Sequence, residues 1–534
     1  MKTEYPFYEV PNEFETVNDV IDVVLKTYKE NPVFRYKCGK EIKEKYKEEF
    51  VADTKLIGQM FHANFVKESH IALLGKTSYE WLVCYFAIMN SENVTVPLDK
   101  ELPREELVEL IDYADVDCLI YDYDYEDVAD YVKVYSKKLI KCICMQDSLT
   151  DECLWKMTKS FSNKIIWEGN PRKDDVAEII FTSGTTGKSK GCMLTHENLA
   201  WNAMNGKSFV QMTSEDSVMS ILPINHSLEI AAGIMTQFCS GVTICINDSL
   251  KYLAKNLLVY HPTGMVVVPL VMETLYKNIW REIEKQKKDK IIKLAMKIAW
   301  LLYKCHIDIR RRLFSQILEK LGGNLRIMVV GGAYIEPKLI KDFEIWGITI
   351  VQGYGITECA PVISCNTDRY RKYDSVGKIV TGSKVKTVNN EIWVKGPIVM
   401  KGYYNNPQAT EQVFSDGWFK TGDLGYLDKD GFLYITGRKK NLIILPNGEN
   451  VSPEELEQKI MRIAYVKEVV VSEKEGQICA EVFLDKDMET EAESKIHRDI
   501  MDLNRMLPNY KKIGKILIRD HEFDKTTTRK IKRN

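Results

Sequence analysis

The stretch FTSGTTGKSKG, residues 181–191, decides how this chain is read. Upstream of it, Ala177, Ile179, Ile180 and Phe181 form an apolar run that predicts a buried strand. Downstream, LTHENLAWNAM predicts a helix with Thr195 as its cap. The glycines, serines and threonines between them predict a loop whose N–H groups and hydroxyls can surround phosphate oxygens, since glycine lets the backbone approach closely. A P-loop needs a longer spacer than the Thr185-Thr186 pair that Gly184 and Gly187 enclose, and it has no counterpart of Lys190. Phosphotransfer of the P-loop kind, with release of ADP and phosphate, is therefore disfavoured. An isolated loop of this composition is more often a plain surface turn.

Working outward, residues 1–176 alternate apolar runs with helical patterns: HIALLG, EWLVCYFAIMN, NVTVPLD, REELVELIDYA, VDCLIYD. This alternation predicts a largely parallel, helix-covered sheet. The pattern recurs after the loop in SVMSILPINHSLE, GVTICI, GMVVVP and LRIMVVGGA. Ligands of such sheets gather outside the carboxyl ends of the strands, where this chain places His226, Gly331, Gly332 and Ala333. A lone histidine is more often structural, and small residues here suit either a passing substrate chain or a turn. The next strand ends in VQGYGITECAPVIS, in which Tyr354, between Gly353 and Gly355, offers an aromatic face. Thr357 and Glu358 add hard oxygen ligands suited to magnesium beside phosphates.

Short runs separated by glycine turns, EIWVKG, VMKGYY, GWFKTGDLGYL and GFLYITG, predict a small antiparallel sheet or barrel. GRKKNLIILPNGENVSPEELE then opens a small α/β domain, with Ser452 as the cap of a helix and VKEVVVSEK and ICAEVFLD as strands.

A chain of 534 residues is too long for a single ordinary core, and 45% hydrophobic with 28% charged residues is a globular composition. The net charge of -2 implies neither nucleic acid nor an acidic surface as partner. Thirteen scattered cysteines read as reduced cytosolic thiols. The amino terminus lacks the apolar core of a secretory signal, and the uncharged run 230–246 is better read as a buried helix and strand than as a membrane span. Residues 276–321 are helical and basic, a pattern that suits anionic lipid or, as the preferred reading, a solvated face.

Taken together, these strings resemble the acyl-adenylate-forming (AMP-binding) superfamily, and most closely the bacterial long-chain fatty acid–CoA ligases. The resemblance implies an α/β fold. A large N-terminal domain, 1–437, would comprise stacked helix-covered sheets (1–176 and 177–374) and a β-barrel-like subdomain (375–437). A small mobile C-terminal domain, 438–534, would turn about Lys440. It implies that Thr182, Ser183, Gly184, Thr185, Thr186, Gly187 and Lys190 bind the ATP phosphates. Gly332, Gly353, Tyr354, Gly355 and Thr357 would surround the nucleotide, Asp423 would accept its ribose hydroxyls, Arg438 would contact the nucleotide, and Glu358 with Thr182 would hold Mg2+. His226, Gly331, Gly332 and Ala333 would line the acyl pocket, and Gly448 the tunnel for CoA.

The resemblance makes Lys530 the catalytic lysine, assisted by Lys190 and Glu358. The chain departs from the family at Ser189 and Asp524, where proline is usual, and at Arg529, where glycine is usual. The activity implied is ATP-dependent formation of an acyl-AMP from a medium- or long-chain fatty acid, then transfer to the CoA thiol, in the cytoplasm and with peripheral membrane contact left open. Transfer to an acyl carrier protein's phosphopantetheine, an aryl or amino acid substrate, and a non-catalytic nucleotide- or lipid-binding relative are the alternatives.

Overall fold

Short apolar runs become strands when neighbours bury both of their faces. In the computed structural model, which describes residues 7–10, 14–146, 153–159, 161, 169–182, 189–445, 449–463, 465–485, 491–525, 531 and 533, the strand Val176–Thr182 lies inside a sheet. Among the described residues that sheet has seven strands, in the order Gly402–Tyr403, Lys190–Thr195, Val176–Thr182, Val94–Pro97, His70–Leu74, Val116–Tyr121, Lys141–Cys144. Pairing is parallel from Val176–Thr182 to Lys141–Cys144, and Lys190–Thr195 returns antiparallel. The helix Tyr79–Asn90 starts where the Ser78 hydroxyl accepts from the Trp81 N–H, and all of it but Glu80 is buried.

A second sheet runs Lys378–Ile379, Val362–Cys365, Thr349–Gly355, Ile327–Val330, Gly264–Val267, Ser217–Ser220, Thr243–Ile246, Phe34–Cys38, Glu41–Lys45. It is parallel from Thr349–Gly355 to Phe34–Cys38 and antiparallel at both edges. The apolar run 230–246 is buried as expected, but its helix is π-helical over Glu229–Met235 before the strand Thr243–Ile246. No described helix is long and apolar enough to cross a membrane. The basic region is helical, although not continuous: Pro269–Lys285 and Asp289–Lys304 are separated by Lys287 at φ 56°, and two shorter helices, Arg310–Leu313 and Ser315–Lys320, follow. All thirteen cysteines are free thiols, and only Cys38 and Cys305 are exposed.

The chain divides into two compact units, the first 1–384 with 394–419 and the second 385–393 with 420–534. The first is the large α/β body of helix-covered sheets. The second includes residues 420–427 of the strand Trp418–Leu427, which pairs antiparallel with Leu433–Arg438. It continues as a small α/β layer in which Val466–Lys474 and Gln477–Leu484 pair antiparallel and Lys515–Arg519 joins in parallel. The helices Pro453–Ile460 and Ala492–Arg505 cover it, packing Leu456, Ile460, Ile496 and Ile500 on Val469 and Val482.

One local expectation changes in this unit. Ser452 does stand at the start of the Pro453–Ile460 helix, but its hydroxyl donates 2.8 Å to the Thr436 carbonyl and lies 2.9 Å from a Glu454 oxygen, so it does not cap the helix. Near the carboxyl end, the exposed Arg533 pairs its guanidinium with Glu457 and lies 3.7 Å from Glu454.

Two of the carboxyl groups buried in the first unit, Glu178 and Glu229, have no cationic partner among the described residues and have strongly raised pKa values. Glu178 accepts 3.2 Å from the Tyr85 hydroxyl and Glu229 accepts from Ser220, yet burial pushes each up to about 8. Both are therefore neutral acids through most of the neutral range. Between the ordinary 4.5 of an unfolded glutamate and about 8, the folded chain holds more protons than the unfolded one, so stability falls as pH rises through that window. Glu229→Gln, which cannot ionise, is expected to lose less. In urea unfolding at about pH 5 and about pH 8, its unfolding free energy gains on wild type at the higher pH, by up to a few kcal/mol at about 1.4 kcal/mol per pKa unit. Parallel pH dependences would mean that Glu229 is not buried as an acid.

Candidate active site

The residues singled out in the first unit collect at the carboxyl ends of its strands, where loops leave the parallel sheets. Val176–Thr182 and Lys190–Thr195 are register partners at Thr182 and Lys190, and the Thr182 hydroxyl turns back toward the Lys190 carbonyl, 3.4 Å away. Ser183, Gly184, Thr185, Thr186 and Gly187 lie outside the described residues, as do Gly448 and Lys530. The helix His196–Gly206 then starts as expected: Thr195 accepts from the Asn198 N–H, and Asn198 accepts from that of Thr195.

That helix also reaches two distant segments. Asn198 donates to the carbonyls of Pro397 and Val399 at 2.7 and 3.1 Å, and Asn202 donates to those of Cys359 and Val362, both at 3.2 Å. The first pair steers the chain into Gly402–Tyr403, which pairs with the Lys190 strand at Tyr403 and Cys192. The second fixes the turn Thr357–Cys359.

As a result Glu358, Tyr403 and Lys190 meet. The buried Tyr403 hydroxyl donates 2.9 Å to Glu358 Oε1, the Met400 N–H donates 2.9 Å to the Glu358 carbonyl, and Lys190 Nζ stands 5.0 Å above the Tyr403 ring. Burial, then the Glu358 carboxylate, pushes the Tyr403 phenol well above its ordinary value, so it stays a donor. With one carboxyl oxygen held in this way, Glu358 is an oriented, half-buried oxygen donor, and Lys190 lies over the ring of the same tyrosine. Hard oxygens in that arrangement fit a magnesium ion that also binds phosphate.

Around this cluster, Thr357 Oγ1 is 3.5 Å from Ser227 Oγ, which brings the loop carrying His226 to the end of Thr349–Gly355. A side chain on Gly331 would touch Leu228 at 3.5 Å and stand 3.8 Å from the Gly353 carbonyl. Gly332, at φ 84°, needs glycine for its backbone. Gly355 has a local reason to lack a side chain, because a Cβ there would fall 2.0 Å from the Pro361 carbonyl. Ala333 follows the same strand end, and Tyr354 lies half-buried between its glycines.

In the second unit Asp423 and Arg438 are register partners on adjacent strands, and Arg438 Nε is 2.8 Å from Asp423 Oδ1. The Asp423 side chain is only 3% exposed, whereas Arg438 is 46% exposed, so the guanidinium faces outward while holding the acid. Lys440 lies in the turn Lys439–Asn441 directly after them.

Sequence reasoning did not single out Tyr403, Asn198 or Asn202. Tyr403 falls in the VMKGYY run, which signals no more than a strand, and its partner Lys190 is more than two hundred residues away. The asparagines do carry a faint signal, being polar residues one helical turn apart on the buried side of LTHENLAWNAM.

Comparison with known proteins adds to this geometry. Residues 26–404 match the family model described as AMP-binding enzyme, and residues 440–534 the model described as AMP-binding enzyme C-terminal domain. The chain is 31% identical over 422 residues to the long-chain-fatty-acid–CoA ligase FadD15 of Mycobacterium bovis, covering 75% of this chain and 70% of the relative. It is 29% identical over 511 residues to the 2-succinylbenzoate–CoA ligase of Listeria monocytogenes, covering 93% and 94%. Among solved structures, the Bacillus subtilis O-succinylbenzoate coenzyme A synthetase in complex with ATP and magnesium superposes with a TM-score of 0.73 at 22% identity, covering 96% of this chain and 98% of that one. That likeness carries the fold.

Proposed function

The chain belongs to the AMP-binding enzyme family, and from that premise we propose that it activates a medium- or long-chain fatty acid with ATP and transfers the acyl group to coenzyme A. In the first step the acid's carboxylate oxygen attacks the α-phosphorus, pyrophosphate leaves, and an acyl-AMP forms. In the second, the CoA thiol attacks the acyl carbonyl, loses its proton, and AMP leaves. The observation that supports this reading is the Lys190–Tyr403–Glu358 cluster, an oriented carboxylate and a cation where the phosphate-type loop meets the strand ends.

Each residue has a task that follows from charge. Two anions must meet, so positive charge and N–H donors are needed where negative charge accumulates. Lys190 and Lys530 supply the charge, residues 182–187 the donors, Asp423 the acceptor for the ribose hydroxyls, and Arg438 a contact to the nucleotide. Glu358 and Thr182 would hold Mg2+, which when bound offsets phosphate charge and polarises the phosphoryl oxygens. No general base is needed for the first step, since the carboxylate is already ionised. His226, Gly331, Gly332 and Ala333 line the acyl side in this reading, Gly448 the path of CoA, and Lys440 serves as the hinge. The free, mostly buried thiols suit a cytoplasmic setting.

A second reading keeps the chemistry and makes the acid aromatic. It is favoured by the near full-length match to a 2-succinylbenzoate–CoA ligase. A pyrophosphate-release screen over short, medium, long and aromatic acids, with and without CoA, separates the two. The expected result is the highest kcat/KM with a medium or long aliphatic acid and thioester formed with CoA alone. A preference for 2-succinylbenzoate establishes the second reading, a need for a carrier protein reassigns the acceptor, and no pyrophosphate with any acid rejects both.

A further inference from the structure

The helix Asp289–Lys304 has three sides. Met296 and Ala299 face inward and are buried in the core. Ile291, Leu294, Ile298 and Leu301 recur at intervals of three and four, which makes one stripe on a helix, and they are 67%, 59%, 47% and 64% exposed. Lys290, Lys293, Lys297 and Lys304 follow the same spacing and form an exposed row along one margin of that stripe. Lys293 and Lys304 rest near the rings of Trp280 and Trp300, which keeps part of the row close to the helix surface. Asp289, at the first position, is the only acid in the helix.

A solvated basic face explains the lysines but gives no reason for the aliphatic row. Single exposed apolar residues are ordinary, whereas a continuous stripe over three turns marks a contact surface. We propose that this face of the Asp289–Lys304 helix docks on an anionic lipid surface, the aliphatic row entering the acyl boundary and the lysine row pairing with headgroup phosphates. Charge complementarity selects the occupant. A membrane is a plane with negative charge outside and hydrocarbon just beneath, and two parallel rows, one cationic and one aliphatic, match those layers along the length of one helix. The proposal stands independently of the ligase reading.

Sedimentation of the full chain with vesicles tests it, using phosphatidylcholine alone and phosphatidylcholine mixed with phosphatidylglycerol. Wild type is expected to bind the mixed vesicles about tenfold more strongly, with the difference lost at high salt. Leu294→Gln with Leu301→Gln is expected to lower binding to both vesicles by about tenfold or more, with unfolding curves and adenylation unchanged. Lys290→Gln with Lys297→Gln should remove the preference for phosphatidylglycerol and keep the weaker binding to phosphatidylcholine. Wild type that stays in the supernatant, or a leucine double variant that binds as well as wild type, overturns the proposal. So does a concentration-dependent dimer abolished by the leucine pair without vesicle binding, which would make the occupant a second copy of this chain.

Discussion

Replacing Lys530 with alanine is expected to lower acyl-adenylate formation by about a thousandfold while leaving thioester formation from supplied acyl-adenylate largely intact. The asymmetry follows from where charge builds up. In the first half-reaction a carboxylate closes on a triphosphate, and negative charge concentrates on the α-phosphoryl oxygens as pyrophosphate departs. A lysine ammonium is a compact point charge that opposes this build-up, and it counts most where water is excluded. In the second half-reaction the anhydride is already activated and the thiol attacks a neutral carbonyl, so a cation at the phosphate adds little. The two rates must be measured separately, as acid-dependent pyrophosphate exchange and as CoA-dependent consumption of synthetic acyl-AMP. Lys532→Ala is the control, since the adjacent charge has the same sign but lies off the family register, and it should change adenylation only a few-fold. If Lys530→Ala depresses both half-reactions equally, the lysine has no step-specific role and the assignment fails.

Arg529, directly before that lysine, stands where the family has glycine. The neighbouring residues are tied down: Lys525 pairs with Glu468 and lies 2.8 Å from a Glu522 oxygen, Ile531 bridges to Lys525, and Arg533 pairs with Glu457. Arg529→Gly thus offers a comparison in which the charge of Lys530 is kept while the neighbouring guanidinium is lost and the local backbone gains freedom.

The fold was legible where burial is local to a segment. Runs such as HIALLG and GMVVVP are apolar on both faces because a parallel sheet covers both, and helices such as Tyr79–Asn90 and His196–Gly206 announce their starts through Ser78 and Thr195. What could not be read is set by register between distant strands. Nothing near Tyr403 shows that Gly402–Tyr403 will pair with Lys190–Thr195, and nothing near Phe34–Cys38 shows that it will join Thr243–Ile246. The same holds for Ser452, whose local sequence suits a cap while the Thr436 carbonyl competes for its hydroxyl. The candidate residues were legible through motifs, Thr182 and Glu358 in the first unit and Asp423 and Arg438 in the second each carrying a recognisable string. The first-unit side chains around Glu358, namely Asn198, Asn202 and Tyr403, had none.

Glu358→Gln is expected to raise the magnesium needed for half-maximal pyrophosphate release by about a hundredfold, and Tyr403→Phe by about tenfold. The first change keeps size and an oxygen able to accept from Tyr403, but removes the negative charge on which a hard cation depends. The second leaves the carboxylate untouched and keeps an aromatic ring beneath Lys190; it deletes only the O–H that fixes Oε1. A freed carboxylate samples more rotamers, so part of its cation affinity is lost to ordering it. Calorimetric binding of ATP with and without magnesium gives a readout independent of turnover. Both variants should bind metal-free ATP about as wild type does and lose the increment that magnesium adds. The ranking carries the physical content: charge removal must outweigh orientation loss. An unchanged magnesium titration in Glu358→Gln would take that residue out of the site. A Tyr403→Phe variant as deficient as Glu358→Gln would show instead that the hydroxyl holds up the turn Thr357–Cys359 as a whole, which lower thermal stability of that variant alone would corroborate.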